Sequence, residues 1–218
     1  MKKFVLLLLV LSLLCLPGCK LFNKVGIGKK ASPAATICEI ARSAKPTKII
    51  TDVKLATSSG DTLSGYYVTV TDGTNAIFEY TYDRVATPED SLATGSSDRI
   101  VTEKGTINYK DGAYSSGDAE SWRPGTGTAL ELKLNFDDEL FKNATVSEDG
   151  QSLEVKMGAE ALKTFIGTDL NATGEATVTV STNGRNLTMI TISCATATGT
   201  LSVRTSYTYN RQDLSAEA

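Results

Sequence analysis

The strongest constraint on the fold of this chain is a two-residue alternation of side chains, repeated between short turn sequences. Residues 177–180 alternate threonine with valine, residues 189–194 alternate in a similar way, and Asn183-Gly184 lies between the two runs. An Asn-Gly pair between alternating runs is typical of a β-hairpin. This part of the chain therefore predicts antiparallel strands with one buried face.

The same period recurs in the first half of the chain, so the predicted sheet has many strands. Further alternating runs occupy residues 49–55, 66–70, 78–82, 130–136, 153–157 and 201–209. Turn sequences lie between them at 58–61, 72–73, 147–150 and 198–199. Residues 99–103 and 106–109 predict two more short strands.

Two segments have a helical period instead. Ser32-Pro33 supplies a cap and a first helical residue, and Pro46 requires the first helix to end before it. Residues 158–166 predict a second helix, which Gly167 ends. The sequence therefore predicts an α+β fold, mostly antiparallel β.

The length of 218 residues suits one domain with a substantial core, which we place at residues 32–209. Residues 86–127 are rich in Ser, Gly, Asp, Thr and Pro, and they predict an irregular insertion. Long irregular segments inside a compact domain are often functional. Residues 210–218 predict a frayed polar tail.

The N-terminus has the pattern of an export signal. Two lysines precede an apolar run from Phe4 to Leu14, which is too short to span a bilayer comfortably. Leu16-Pro17-Gly18-Cys19 follows directly. The arrangement predicts a removable signal peptide over residues 1–18.

The Leu-x-Gly-Cys ending of this segment resembles a bacterial lipobox. The resemblance implies that Cys19 becomes the first residue of the mature chain and carries diacylglycerol and palmitate. Residues 19–31 would then be a lipidated tether, since several acyl chains on one residue anchor a domain stably. We therefore expect an extracytoplasmic protein, lipid-anchored to a bacterial membrane.

The composition excludes several function classes. The chain has no histidine, which rules out a Ser-His-Asp triad and a His-ligated metal within it. The formal net charge of −3 becomes −5 when Lys2 and Lys3 leave with the signal peptide, so nucleic acid is a poor partner. The acidic runs at 137–139 and 148–149 are typical of solvated loops. We expect no catalytic residue, no metal site, no cofactor and no enzymatic activity.

Two cysteines remain in the predicted domain, Cys38 on the first helix and Cys194 on a late strand. Extracytoplasmic compartments permit disulfides. The sequence leaves two readings open: a Cys38–Cys194 bridge, or two buried apolar thiols.

An aromatic set is the candidate ligand surface. Its members recur at strand period and are Tyr66, Phe78, Tyr80, Tyr82, Tyr207 and Tyr209, and Trp122 lies in the insertion. Tyrosine offers a broad apolar body with a polar tip, which suits an amphipathic pocket. An ordinary core beneath the helices explains the same pattern.

The order of elements resembles the LolA/LolB/LppX-type lipoprotein-carrier fold. It is carried by the segments Lys-Pro-Thr-Lys-Ile-Ile, Thr-Asn-Gly-Arg-Asn-Leu-Thr and Ser-Tyr-Thr-Tyr-Asn within residues 32–209. The resemblance implies a curved, incompletely closed sheet or half-barrel with two short helices against its concave face, and a cavity that accommodates acyl chains. We expect a membrane-anchored protein that binds a lipid or another amphipathic ligand. The alternative is a surface adhesion or envelope-scaffold module that acts through residues 86–127.

Overall fold

The computed structural model describes residues 32–90, 99–110, 113–115 and 134–210, with the backbone alone for 113–115. The chain divides into two units, Met1–Ser32 and Pro33–Ala218, and the described domain belongs to the second. The predicted signal peptide, the tether with Cys19, Trp122 and residues 211–218 lie outside the described residues.

The domain contains two helices and ten strands. The helices are α1 (Pro33–Arg42) and α2 (Ala159–Ile166). The strands are β1 (Lys48–Thr57), β2 (Thr62–Thr71), β3 (Ala76–Val85), β4 (Ile100–Lys110), β5 (Ala113–Ser115), β6 (Thr145–Val146), β7 (Ser152–Met157), β8 (Ala176–Thr182), β9 (Leu187–Thr196) and β10 (Gly199–Thr208). Both predicted helices are confirmed, and Gly167 ends α2 in the left-handed conformation with φ of 73°.

All ten strands form one antiparallel sheet in the order β5-β4-β3-β2-β1-β10-β9-β8-β7-β6. Two meanders, β1 to β5 and β6 to β10, meet where the first strand pairs with the last, with Val53 opposite Val203. The end strands β5 and β6 are not paired with each other in the described part of the chain. The sheet is therefore open, and the predicted fold class is confirmed.

The main core lies where the two helices pack on one face of the sheet, here called the helix-bearing face. Helix α1 buries Ile37 and Cys38, and α2 buries Phe165 and Ile166. These side chains join alternate residues of β7 to β10, for example Val178. Burial of such apolar area contributes about 25 cal/mol per Å², so this half of the sheet supplies most of the apolar stabilisation.

The strand predicted over residues 130–136 is wrong for its described part, because residues 134–136 have no strand structure. Phe136 instead packs against Phe141 and Phe165, with ring centroids 5.7 and 5.4 Å apart. The amide of Asn135 donates to the carbonyl of Phe165 at 2.6 Å. The alternation here reflects packing onto α2 and not pairing in the sheet.

The insertion predicted at 86–127 is less irregular than expected. Its residues 100–110 form the single long strand β4, where the sequence predicted two short strands separated near Gly105. Gly105 is opposite Tyr80 on β3, and the ring of Tyr80 occupies the space where a Cβ of residue 105 would lie. The glycine therefore makes room for a neighbouring ring and does not interrupt the strand.

Candidate functional site

Three of the predicted aromatic residues lie side by side on the helix-bearing face. Phe78, Tyr80 and Tyr82 alternate along β3. The registers of β3 with β2, β2 with β1 and β1 with β10 place Phe78 in one row with Thr69, Ile49 and Tyr207. Phe78 and Tyr207 therefore share one face, although β1 and β2 lie between their strands.

Tyr66 does not belong to this face. It is paired with Asp52 and Thr81, whose side chains point away from the helices, and it is 45% exposed. Its neighbour Tyr67 lies on the helix-bearing face instead. Strand β2 has apolar residues on both faces, with Val68 buried opposite the helices, so alternation alone assigned the wrong tyrosine.

A cavity of about 490 Å³ opens beside the C-terminal end of α1, over the middle of the sheet. Its floor comes from β1, β2, β3 and β10, and its wall comes from the end of α1 and from the segment before β6. The lining side chains are Ala41, Arg42, Ala44, Pro46, Ile49, Thr51, Tyr67, Thr69, Phe78, Leu134, Phe136, Leu187, Thr205 and Tyr207. Most are apolar or carry a hydroxyl, which is typical of small-molecule pockets.

The floor of the cavity holds few polar groups. Thr51 and Thr205 are buried, and their hydroxyls lie 3.1 Å apart in a hydrogen bond. Burial raises the pKa of Tyr67, and burial with the neighbouring Tyr209 raises the pKa of Tyr207 far above its usual value. Neither the Tyr67 nor the Tyr207 hydroxyl has a hydrogen-bond partner among the described residues.

Arg42 stands at the rim of the cavity. Its Nε donates to the carbonyl of Phe136 at 2.9 Å, and its Nη2 forms an ion pair with Asp138. A second, shallower groove of about 390 Å³ shares Arg42 and Phe136 with the cavity and adds Asn135, Asp137 and Asp138. Sequence reasoning missed Arg42, because its place in the last turn of α1 is visible in the sequence but the cavity beside it is not.

Tyr80, Tyr82 and Tyr209 share the helix-bearing face but do not line the cavity. The hydroxyl of Tyr82 donates a hydrogen bond to Glu103. Burial, and to a lesser extent this hydrogen bond, raises the pKa of Tyr82 to about 12. Glu103 in turn accepts from Arg84. The hydroxyl of Tyr209 donates to the Leu187 carbonyl at 2.8 Å. These three tyrosines are therefore structural in this arrangement.

The Cys38–Cys194 bridge is absent: both residues are buried free thiols. Helix α1 packs chiefly against β6, β7 and β8, whereas Cys194 lies on β9 opposite Leu201 of β10. Burial raises the pKa of Cys194. It also raises the pKa of Cys38 to about 11, partly offset by Arg42. Both thiols are therefore apolar packing groups and poor nucleophiles.

Within the described ranges, no three His, Cys, Asp or Glu side chains are grouped so as to hold a metal ion. Neither described helix is long and apolar enough to cross a membrane. Neither a protein-family model nor a curated protein matches the sequence. The cavity is therefore the feature of the described domain that bears on function.

Proposed function

We propose that this protein is a non-enzymatic, membrane-anchored bacterial lipoprotein that binds an amphipathic ligand in the cavity beside α1. The observation that carries the proposal is an apolar cavity of about 490 Å³ on the helix-bearing face, within the roughly 300–1,000 Å³ typical of ligand pockets. The ligand would place its apolar part against Phe78 and Tyr207.

The cavity exists because the two helices cover only part of the sheet. Helix α1 contacts β6, β7 and β8, and α2 contacts β7. Ile49 and Thr69, on β1 and β2, are only half-buried, and they line the cavity next to the residues that follow α1. An apolar ligand would remove this surface from water, with a gain of about 25 cal/mol per Å².

Ligand binding is tested with a fluorescent acyl probe and a variant that fills the cavity. Ala44→Trp places a large ring in the wall, and we expect at least a roughly tenfold loss of probe affinity, about 1.4 kcal/mol. Ala195→Trp, at an exposed position of β9, is the matched control and should bind as the parent does. If the parent chain binds no acyl probe, ligand binding is rejected and the adhesion or scaffold alternative stands.

The anchor is tested separately, through Cys19. Incorporation of labelled palmitate should be lost in Cys19→Ala and retained in Cys15→Ala, which removes the neighbouring cysteine of the leader. Undiminished labelling of Cys19→Ala would reject the lipoprotein assignment. The cavity would keep its ligand in that case, so the two halves of the proposal fail independently.

A further inference from the structure

The cavity and the groove that adjoins it together carry charges of both signs. Arg42 is the only charged side chain among the described residues that line the cavity. The adjoining groove shares Arg42 and adds the carboxylates of Asp137 and Asp138. A ligand with its chain in the cavity would therefore place its head group between one guanidinium and two carboxylates.

Arg42 keeps donors for a ligand. Its Nε and Nη2 are used by Phe136 and Asp138, whereas Nη1 has no hydrogen-bond partner in the described part of the chain. The Arg42 side chain is 46% exposed and that of Asp138 is 65% exposed. An exposed ion pair of this kind contributes little to stability, because water screens it. A phosphate could therefore bind Nη1, or replace Asp138 on Nη2, at little cost.

The carboxylates decide which head group fits. Asp137 is exposed, and its Oδ1 accepts the amide of Glu139 at 3.0 Å. Two carboxylates beside one guanidinium repel a head group that is only anionic. A neutral head group leaves all three charges unused. A head group with an anion and a cation complements both signs.

We propose, resting on the function proposed above, that the ligand is a single-chain zwitterionic lipid. Its phosphate binds Arg42, and its ammonium group binds Asp137 and Asp138 in the adjoining groove. The cavity of about 490 Å³ lies within the range of small-molecule pockets, which suits one acyl chain. The groove of about 390 Å³ receives the head group.

The test compares three palmitoyl single-chain lipids that differ only in the head group: phosphoethanolamine, phosphate and glycerol. Each is dialysed to equilibrium against the full chain below its critical micelle concentration. We expect the phosphoethanolamine lipid to bind roughly tenfold more tightly than the other two. Arg42→Gln should lower its affinity to that of the glycerol lipid and leave the glycerol lipid unchanged, whereas Arg185→Gln, on an exposed turn, should change nothing.

A second variant keeps the proposal testable if Arg42→Gln does not fold. Asp137→Asn with Asp138→Asn should reverse the preference, so that the phosphate lipid binds at least as tightly as the phosphoethanolamine lipid. Equal binding of all three lipids, or tightest binding of the phosphate lipid by the parent chain, overturns the zwitterion and leaves the cavity function intact. If none of the three lipids binds, the proposed function itself is rejected.

Discussion

Tyr80 lies across Gly105, its direct partner on the neighbouring strand, so that a methyl group on Gly105 would overlap the phenol ring. The ring of Tyr80 also contacts that of Tyr82, with centroids 6.0 Å apart. A glycine within a strand costs conformational entropy and leaves a gap in the pleat. The tyrosine fills that gap, and β4 continues through the glycine without a break.

The first prediction is that Gly105→Ala lowers the free energy of unfolding by about 1 kcal/mol. The cost is modest because the far end of the Tyr80 side chain can move, while alanine recovers part of the backbone entropy. Chemical denaturation measures the free energy, and the near-ultraviolet circular dichroism should report the displaced tyrosine. An unchanged tyrosine signal would show that the ring does not lie on Gly105.

Two other glycines provide comparisons for the expected cost of Gly105→Ala. A Cβ on Gly199 would overlap the backbone carbonyl of Ala56, which cannot move aside, so Gly199→Ala should cost about 3 kcal/mol. Gly174 has nothing within 4 Å of its Cβ position, and Gly174→Ala should stay within about 0.5 kcal/mol of the parent. A Gly105→Ala cost equal to that of Gly199→Ala would mean that the strand backbone, and not the ring, is displaced.

Local patterns predicted both described helices and most of the long strands. The hairpin at Asp72-Gly73 was predicted, and in the structure Asp72 Oδ1 accepts the amides of Thr74 and Asn75 at 2.8 and 2.7 Å. Gly73 has a φ of 96°, as the turn requires. Such signals lie within a few residues of one another, so the sequence displays them directly.

Long-range relationships were not predictable in the same way. The pairing of β1 with β10 joins residues about 150 positions apart and places Ile49 opposite Tyr207 in the cavity floor. The choice between Tyr66 and Tyr67 depends on the register of β2 with β1 and β3, which the sequence does not display. The cavity was expected only as an uncovered part of the sheet, and Arg42 at its rim was not expected.

The second prediction concerns Cys38, whose thiol pKa rises from about 9 to about 11 on folding because the side chain is buried. Because folding raises the thiol pKa, its contribution to the free energy of unfolding is complete below pH 9 and is lost as the pH rises through 11. This lowers the free energy of unfolding by roughly 2–3 kcal/mol. Denaturation at pH 8 and pH 11 should show a smaller alkaline loss in Cys38→Ala than in the parent.

The same burial predicts slow thiol chemistry. In a variant with Cys15→Ala and Cys19→Ala, Cys38 and Cys194 are the remaining cysteines. Both should resist a thiol reagent at pH 8 in the native chain and react at once in denaturant. Rapid labelling of two thiols in the native state would contradict the burial of both residues.

The third prediction concerns the ion-pair network at the start of the connection from β3 to β4. Arg84 donates to Asp90 at 2.6 and 2.9 Å, and these bonds, with those from Thr87, hold the pKa of Asp90 well below its usual range. A lowered pKa stabilises the folded state fully above the unfolded value of about 3.9, and the contribution declines as the pH falls from there through the pKa of the folded state. Asp90→Asn should therefore be less stable than the parent at pH 7, and the difference between them should be smaller at pH 2. Glu89→Gln, at the exposed neighbouring carboxyl, should follow the parent at both pH values.

The last prediction concerns the buried hydroxyls of Thr51 and Thr205, which lie on paired strands in the cavity floor and bond each other at 3.1 Å. Thr205→Val alone leaves the Thr51 hydroxyl buried without its partner, which should cost about 1–3 kcal/mol. Thr51→Val combined with Thr205→Val replaces both groups by apolar ones of the same shape, so most of that stability should return. A denaturation cycle of the two single variants and the double variant measures this coupling.

The double variant also makes the cavity floor more apolar without filling it. The fluorescent acyl probe should therefore bind to the double variant as tightly as to the parent, or a few-fold more tightly. Weaker binding by a fully stable double variant would place a polar part of the ligand, and not its acyl chain, against this floor.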